Sequence, residues 1–234
     1  MDLFANTFAR LFAHVDNYCE RTDPSLWSEP LNALTNLAFL IAGIALWRQA
    51  RSTGSRGEMQ TAVRAEVRAL ALLIVCVGLC SGLFHVFGTV WGMWLDVGSI
   101  ALFILAFLHR YLRRIVAWPA WACWLGVLAF IAADRAIAAL GNLGLNGSEG
   151  YLLPGAILCL FALGARRQAR AAVPWLSAAT LLFALSLTLR TLDMALCAAW
   201  PTGIPIGTHF AWHLLNALVL YCSVRGLAAG AART

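Results

Sequence analysis

Three histidines lie within apolar stretches of this sequence, where ionisable side chains are costly and usually mark a functional site. His85 lies near the end of one apolar segment, and His209 and His213 lie near the start of another. The four-residue spacing of His209 and His213 puts both imidazoles on one face of a helix, about one turn apart. Together with a third histidine, they would make the three-protein-ligand set of a catalytic zinc ion, which leaves a fourth position for water.

Other polar side chains also occur within or beside the apolar segments. They are Asn32, Asn36, Ser81, Asp96 and Asp193. Taken singly, most of them have a simpler interpretation than chemistry. The two asparagines favour interhelical hydrogen bonding, Ser81 favours packing, and Asp193 favours pairing with Arg190 one turn away. A lone membrane histidine also more often serves as a hydrogen-bonding residue, so the hypothesis of a metal site rests on the whole constellation.

The composition is that of an integral membrane protein. The 234 residues are 61% hydrophobic and 12% charged, with a mean hydropathy of +0.76, whereas a soluble domain carries roughly 25% charged residues. The 17 basic residues are all arginines scattered between apolar segments, which does not indicate a nucleic-acid partner. Charges within residues 1–30 interrupt any apolar core, so this segment does not resemble a signal peptide.

Seven apolar segments predict an all-α integral membrane protein, a bundle of seven transmembrane helices at 31–234 that follows an extracytoplasmic segment at 1–30. Several segments approach the ~20 residues needed to cross a bilayer. The predicted spans are 31–48, 68–87, 93–110, 117–134, 151–166, 174–198 and 207–226.

The arginines orient this bundle. Most of them lie in the first, third and fifth loops or in the C-terminal tail, and the second and sixth loops have none. The positive-inside rule therefore predicts an N-terminus outside and a C-terminus in the cytoplasm. In that orientation five helices deliver their polar side chains to one layer on the extracytoplasmic side, which is where we expect an active site.

Three local motifs at these positions resemble those of the alkaline ceramidases, which belong to a larger group of seven-span hydrolases that includes the adiponectin receptors. The first is Asp-Asn-Tyr-Cys-Glu at 16–20, followed by Glu-Pro-Leu-Asn at 29–32 and Thr-Asn at 35–36. The second is Ser-Gly-Leu-Phe-His at 81–85, followed eleven residues later by Asp96. The third is His-Phe-Ala-Trp-His at 209–213. With seven spans in matching order, the resemblance covers essentially the whole chain.

The resemblance implies a zinc-dependent amidohydrolase that cleaves the N-acyl bond of ceramide or a related N-acylated lipid. It implies zinc on His85, His209 and His213, with Ser81 and Asp96 as catalytic residues. Their chemistry suits those roles, because zinc activates water and polarises an amide carbonyl. Asp96 can accept the proton of the water and pass it to the leaving amine. Ser81 can donate a hydrogen bond to the developing oxyanion.

The resemblance also implies a calcium ion and a disulfide in the N-terminal segment. Hard oxygen ligands suit calcium. The carboxylates at the positions that correspond to the family's calcium ligands are Asp16, Glu20, Asp23 and Glu29. The spacing departs from the family pattern on both sides of Cys19, so a solvated acidic loop is the alternative. Cys19 and Cys197 are the only two of seven cysteines predicted at the outer surface, where oxidation is permitted. The resemblance supports a bond between them.

Two other functional classes are open to the sequence. A fourth protein ligand would favour a seven-span receptor or scaffold with a structural zinc, and none is evident at the depth of the histidines. A proton-coupled transporter using Asp96 and Asp193 is disfavoured, because inverted repeats and broken helices are not evident in the sequence. We therefore expect a multi-pass membrane hydrolase with a lipid substrate and no obligate protein partner.

Overall fold

The computed structural model describes residues 7, 9–51, 61–197 and 205–231. The predicted segment 1–30 and the first loop therefore lie partly outside the described residues, as does residue 198 of the sixth predicted span. The helices from Pro30 onward are α1 (Pro30–Thr35), α2 (Leu37–Arg51), α3 (Thr61–Phe87), α4 (Val90–Arg114), α5 (Ala120–Ala138), α6 (Leu152–Gln168), α7 (Val173–Cys197) and α8 (His209–Ala231). Short 3₁₀ turns at Glu149–Tyr151 and Arg170–Ala172 precede α6 and α7.

Seven helical stretches in the described ranges are long and apolar enough to cross a membrane. They are Pro30–Arg51, Thr61–Phe87, Val90–Arg114, Ala120–Ala138, Glu149–Gln168, Arg170–Cys197 and His209–Ala231. This confirms the predicted all-α, seven-helix membrane protein. The side of the membrane on which each end lies stays a prediction from the arginines.

Several helix starts differ from the predicted ones. α3 begins at Thr61 instead of 68, and α4 begins at Val90 instead of 93. The fourth span begins at Ala120 instead of 117, because Pro119 is extended and Ala117 has a φ of 62°. A proline disfavours helical backbone at the residue before it. The last helix begins at His209 instead of 207, because Gly207 has a φ of 65°, which lies in the left-handed region.

α8 lies at the centre of the bundle. It packs most extensively against α7 and also contacts α2 and α3, and buried residues occur on all of its faces. Such burial is typical of a central helix. α5, in contrast, buries only Cys123 and Val127 and lies at the periphery. The two histidines of α8 are therefore deep inside the protein.

The turn between α3 and α4 places the second and third spans close together on the histidine side. Gly88 has a φ of 56°, and its N–H donates to the carbonyl of Phe84 at 2.7 Å, which ends α3. The N-terminal segment lies against this turn, because the N–H of Val15 donates to the carbonyl of Gly88 at 2.8 Å and that of Val90 donates to Ala13 at 3.1 Å.

The first span is interrupted between α1 and α2. The hydroxyl of Thr35 donates to the carbonyl of Leu31 at 2.7 Å, and the amide of Asn36 donates to the carbonyl of Asn32 at 2.8 Å. Side chains that bond to local carbonyls compete with the regular helical hydrogen bonds. The prediction that the two asparagines form hydrogen bonds between helices is therefore wrong. The amide of Asn36 bonds within the first span, and that of Asn32 bonds to Glu29, the residue before that span.

Candidate metal centre and adjoining cavity

The three predicted histidines converge in the structure. His85 lies near the C-terminus of α3, and His209 and His213 occupy the first two turns of α8. One ring nitrogen from each lies within 4.8 Å of the others, and all three side chains are buried. These residues form a cluster that can hold a metal ion, and in the described ranges they are the one group of three or more histidines, cysteines or acids so arranged.

The hydrogen bonds of the imidazoles fit a metal ion. Nδ1 of His85 lies 2.6 Å from Oε2 of Glu29, and Nδ1 of His213 lies 3.0 Å from Oγ1 of Thr35. Metal-binding histidines typically use their second nitrogen for such a contact, which fixes the ring. Nε2 of His85 and Nδ1 of His209 are buried without a hydrogen-bond partner. Because buried polar atoms are normally paired, these two unpaired nitrogens are consistent with a role as metal ligands.

Glu29 belongs to this cluster. Besides His85, its buried carboxylate accepts hydrogen bonds from Nε of Arg21 at 2.5 Å and from Nδ2 of Asn32 at 3.0 Å. Burial raises the pKa of Glu29, but the hydrogen bonds and charges of these partners outweigh it and hold the pKa below its ordinary value. Glu29 is therefore an ionised orienting group for His85.

Asp193 fixes the start of α8. Its Oδ1 accepts the N–H groups of Thr208 at 2.6 Å and of His209 at 2.8 Å, and its Oδ2 accepts the N–H of Cys19 at 2.9 Å. A carboxylate at a helix N-terminus accepts hydrogen bonds from free N–H groups, and its negative charge interacts favourably with the helix dipole. The suggested pairing of Asp193 with Arg190 is wrong, since its oxygens bond to these three backbone groups.

The structure joins Cys19 and Cys197 by a disulfide, with their Cα atoms 5.4 Å apart. This is the pair that the resemblance implies. Cys197 lies one helical turn after Asp193 on α7, so a covalent bond and a backbone hydrogen bond hold Cys19 at the same place. The N-terminal segment is thereby fixed over the histidine cluster.

Ser81 and Asp96 lie on facing parts of α3 and α4, both buried. Their side chains interact with each other, and Oδ1 of Asp96 has no hydrogen-bond partner. Asp96 interacts electrostatically with His85 and with Arg190. The structure thus places the two predicted catalytic residues together, with one carboxylate oxygen of Asp96 unused.

Asp96 also lines a polar cavity of about 490 Å³. Other residues around this polar cavity are Asp16, Asn17, Tyr18, Asn146, Tyr151 and Arg190. An apolar groove of about 430 Å³ between α4, α5 and α6 shares Val97, Gly147, Tyr151 and Arg190 with it. The polar cavity therefore lies beside the apolar groove between the spans.

Two residues that were not predicted to belong to the site, Tyr18 and Arg190, line the polar cavity. The ring of Tyr18 stacks on His209, with centroids 3.6 Å apart. The guanidinium of Arg190 donates to Oγ of Ser148 at 2.7 Å and lies over the rings of Tyr18 and Tyr151, with its Cζ 5.9 and 5.0 Å from their centroids. Arg190 had a sequence signal, since it is an arginine within an apolar span. The ring stacking of Tyr18 had none.

The four acids predicted to bind calcium are not gathered around one point. Both oxygens of Glu20 accept backbone N–H groups at the start of α1, from Leu31 at 2.7 Å and Asn32 at 2.8 Å. Burial raises the pKa of Glu20 despite these two bonds. Asp16 and Asp23 are exposed, and the serine at 25 donates its N–H to Asp23 at 2.7 Å, a bond that lowers the pKa of Asp23. With Glu29 bound to its own partners, the residues do not fit a calcium ion, and the structure gives that expectation no support.

The chain was compared with protein families, curated proteins and solved structures. No family model, no curated protein and no solved structure matches this chain.

Proposed function

We propose that this protein is a membrane-embedded, zinc-dependent amidohydrolase. It cleaves the N-acyl bond of ceramide or a related N-acylated lipid and releases a fatty acid and a long-chain amine. The observation that carries the proposal is the convergence of three buried imidazoles, two of them with an unpaired nitrogen, near a buried Asp96 with a free carboxylate oxygen. A purely structural metal would favour a fourth protein ligand, and the described cluster has three.

Zinc is the metal that suits this donor set. The cluster offers three imidazoles and no thiolate, and three histidines are a known ligand set of catalytic zinc. When bound, zinc would polarise the amide carbonyl and lower the pKa of a water molecule toward 7.

The chain's own residues then move the proton and stabilise the charge. Asp96 accepts the proton of the attacking water through its free Oδ1 and later delivers it to the leaving amine. Ser81, which interacts with the same carboxylate, orients Asp96 in the resting state and donates to the oxyanion as the carbonyl is attacked. Both residues are buried, and burial lowers the local dielectric and strengthens these interactions.

The cavities support an amphiphilic substrate. The polar cavity offers Arg190 and Asn146 to a head group with hydroxyl or carbonyl oxygens, while the apolar groove accommodates an alkyl chain between the spans. A lipid reaches such a groove directly from the bilayer. In the orientation predicted by the arginines, hydrolysis takes place toward the extracytoplasmic side.

The proposal is tested with purified, zinc-loaded protein and a panel of N-acylated long-chain bases that differ in acyl length and head group. We expect fatty acid and amine to appear in equal amounts, detected by mass spectrometry, for at least one lipid. A matched set of O-acyl lipids serves as the control for amide selectivity. Absence of both products across the whole panel would contradict the proposed function.

A further inference from the structure

Arg21 is a buried cation in the segment that the resemblance assigns to calcium. Its side chain is 2% exposed, and oxygen atoms surround its guanidinium. Nε donates to Oε1 of Glu29 at 2.5 Å, and Nη2 donates to the carbonyl of His85 at 3.0 Å. Nη1 lies 3.4 Å from the carbonyls of Asp23 and Ser25. One carboxylate and three backbone carbonyls thus meet a single positive charge.

The end of α3 leaves space for this guanidinium. A Cβ built on Gly88 would lie 2.3 Å from Cζ of Arg21, so any larger residue at 88 would displace the side chain. Gly88 also adopts a φ of 56°, where glycine is favoured. Glycine at position 88 therefore both permits the turn and leaves room for the guanidinium of Arg21.

Arg21 holds His85 at two points. The carbonyl of His85 lies in the last turn of α3, where carbonyl groups lack helical partners and the helix dipole favours a cation. The guanidinium fills that role directly. Through its ion pair with Glu29, it also orients the carboxylate that contacts Nδ1 of the His85 ring.

We propose that Arg21 is the resident cation of the N-terminal acidic segment and a positioning residue for His85. A buried carboxylate is costly unless a cation neutralises it, and Arg21 supplies that charge to Glu29 from within the chain. The segment is consequently held on the bundle without calcium. Only the effect on zinc binding rests on the proposed function, because the contacts of Arg21 with Glu29 and α3 stabilise the fold whether or not a metal is bound.

The test uses the full chain purified in detergent and compares Arg21→Ala, Arg21→Lys and the control Arg135→Ala, whose side chain is 73% exposed. Melting temperature is measured with a calcium-selective chelator and again with added calcium. Zinc affinity is measured by chelator competition, and the visible spectrum of the cobalt-loaded protein reports the geometry of the histidine cluster.

The parent protein should keep its melting temperature and zinc content with the chelator and with calcium alike. Arg21→Ala should melt roughly 5 °C or more below the parent. It should also bind zinc roughly tenfold more weakly, as when an outer partner of a ligand is lost, and shift the cobalt spectrum. Arg21→Lys should lie between the two, because lysine keeps the charge but not the planar fork of donors. Arg135→Ala should match the parent.

Two results would overturn the proposal. One is a parent protein that loses stability when calcium is removed and regains it when calcium returns, which would make calcium the resident cation. The other is an Arg21→Ala protein that matches Arg135→Ala in melting temperature and cobalt spectrum. If Arg21→Ala does not fold, Arg21→Lys and the calcium measurements on the parent decide the matter. If the parent binds no zinc while Arg21→Ala is still destabilised, the proposed function is refuted. The proposal that Arg21 holds the N-terminal segment on the bundle without calcium would still be supported.

Discussion

The carboxylate of Glu29 lies 2.6 Å from Nδ1 of His85, although 56 residues separate them in sequence. Both side chains are buried. This contact turns the other ring nitrogen of His85, Nε2, away from Glu29 and leaves it without a partner. The N-terminal segment therefore contributes directly to the geometry of the histidine cluster.

Replacing Glu29 by glutamine should weaken zinc binding without abolishing it. The amide keeps the shape of the side chain but loses the charge that fixes the imidazole, and loss of such partners typically costs 10–100-fold in metal affinity. The measurement is zinc competition with a chromophoric chelator. Glu66→Gln is the matched control, because Glu66 pairs with Arg114 at the opposite end of α3. Equal zinc affinity in the two variants would show that Glu29 does not orient His85.

Replacing Asp96 by asparagine should retain zinc and slow hydrolysis. Asparagine cannot accept the proton of the attacking water, and loss of a general base typically costs about 10²–10⁴-fold in rate. Turnover of an N-acyl lipid and zinc content are measured on the same preparation, so that loss of metal is distinguished from loss of chemistry. A variant with the parent's rate would leave Asp96 with a structural role only.

Replacing Gly207 by alanine should destabilise the start of α8. The added Cβ would lie 2.2 Å from Oδ1 of Asp193, and the backbone φ of 65° is unfavourable for alanine. The left-handed conformation alone costs about 1–2 kcal/mol. Gly144→Ala isolates that cost, because Gly144 has a φ of 77° with nothing within 4 Å of its Cβ position. We expect a lower melting temperature and weaker zinc binding for Gly207→Ala than for Gly144→Ala, whereas matching values would argue against the contact with Asp193.

Removing the disulfide should lower stability while leaving the histidine cluster able to bind zinc. Cys19→Ser loses the covalent link to Cys197 but keeps the backbone N–H that donates to Asp193. A disulfide typically contributes about 2–4 kcal/mol. Thermal unfolding is measured with and without reductant, with Cys159→Ser as the control at an exposed, unpaired cysteine. A reductant effect that persists in Cys19→Ser would show that the measured stability does not come from this bond.

The seven spans were predictable because apolar length is a direct consequence of bilayer thickness. The histidine cluster was predictable because His209 and His213 share a helix face and ionisable groups are rare inside membranes. For the spans and for the pair of histidines on one helix, the physical constraint acts on residues that are close in sequence. The depth of the distant His85 was predictable only through the orientation that the arginines indicate. The end of each helix was less predictable, since it depends on turns such as the one at Gly207.

Contacts between distant parts of the chain could not be predicted in the same way. Glu29 and Glu20 look alike in sequence, yet one orients His85 and the other caps α1. Arg21 appears as an ordinary charge in a polar segment, and only the packing of this segment on the end of α3 shows that it is buried. Such roles depend on which elements meet, which local patterns do not encode.

The central claim is that the three histidines hold a zinc ion that performs lipid amide hydrolysis. The most direct measurement follows fatty acid release from an N-acylated long-chain base by protein stripped of metal and then titrated with zinc, in parallel with His213→Ala. We predict that activity disappears on stripping, returns in proportion to zinc and saturates at about one zinc per chain, while His213→Ala binds no zinc and stays inactive. Full activity in the stripped protein, or in a zinc-free His213→Ala variant, would contradict the account.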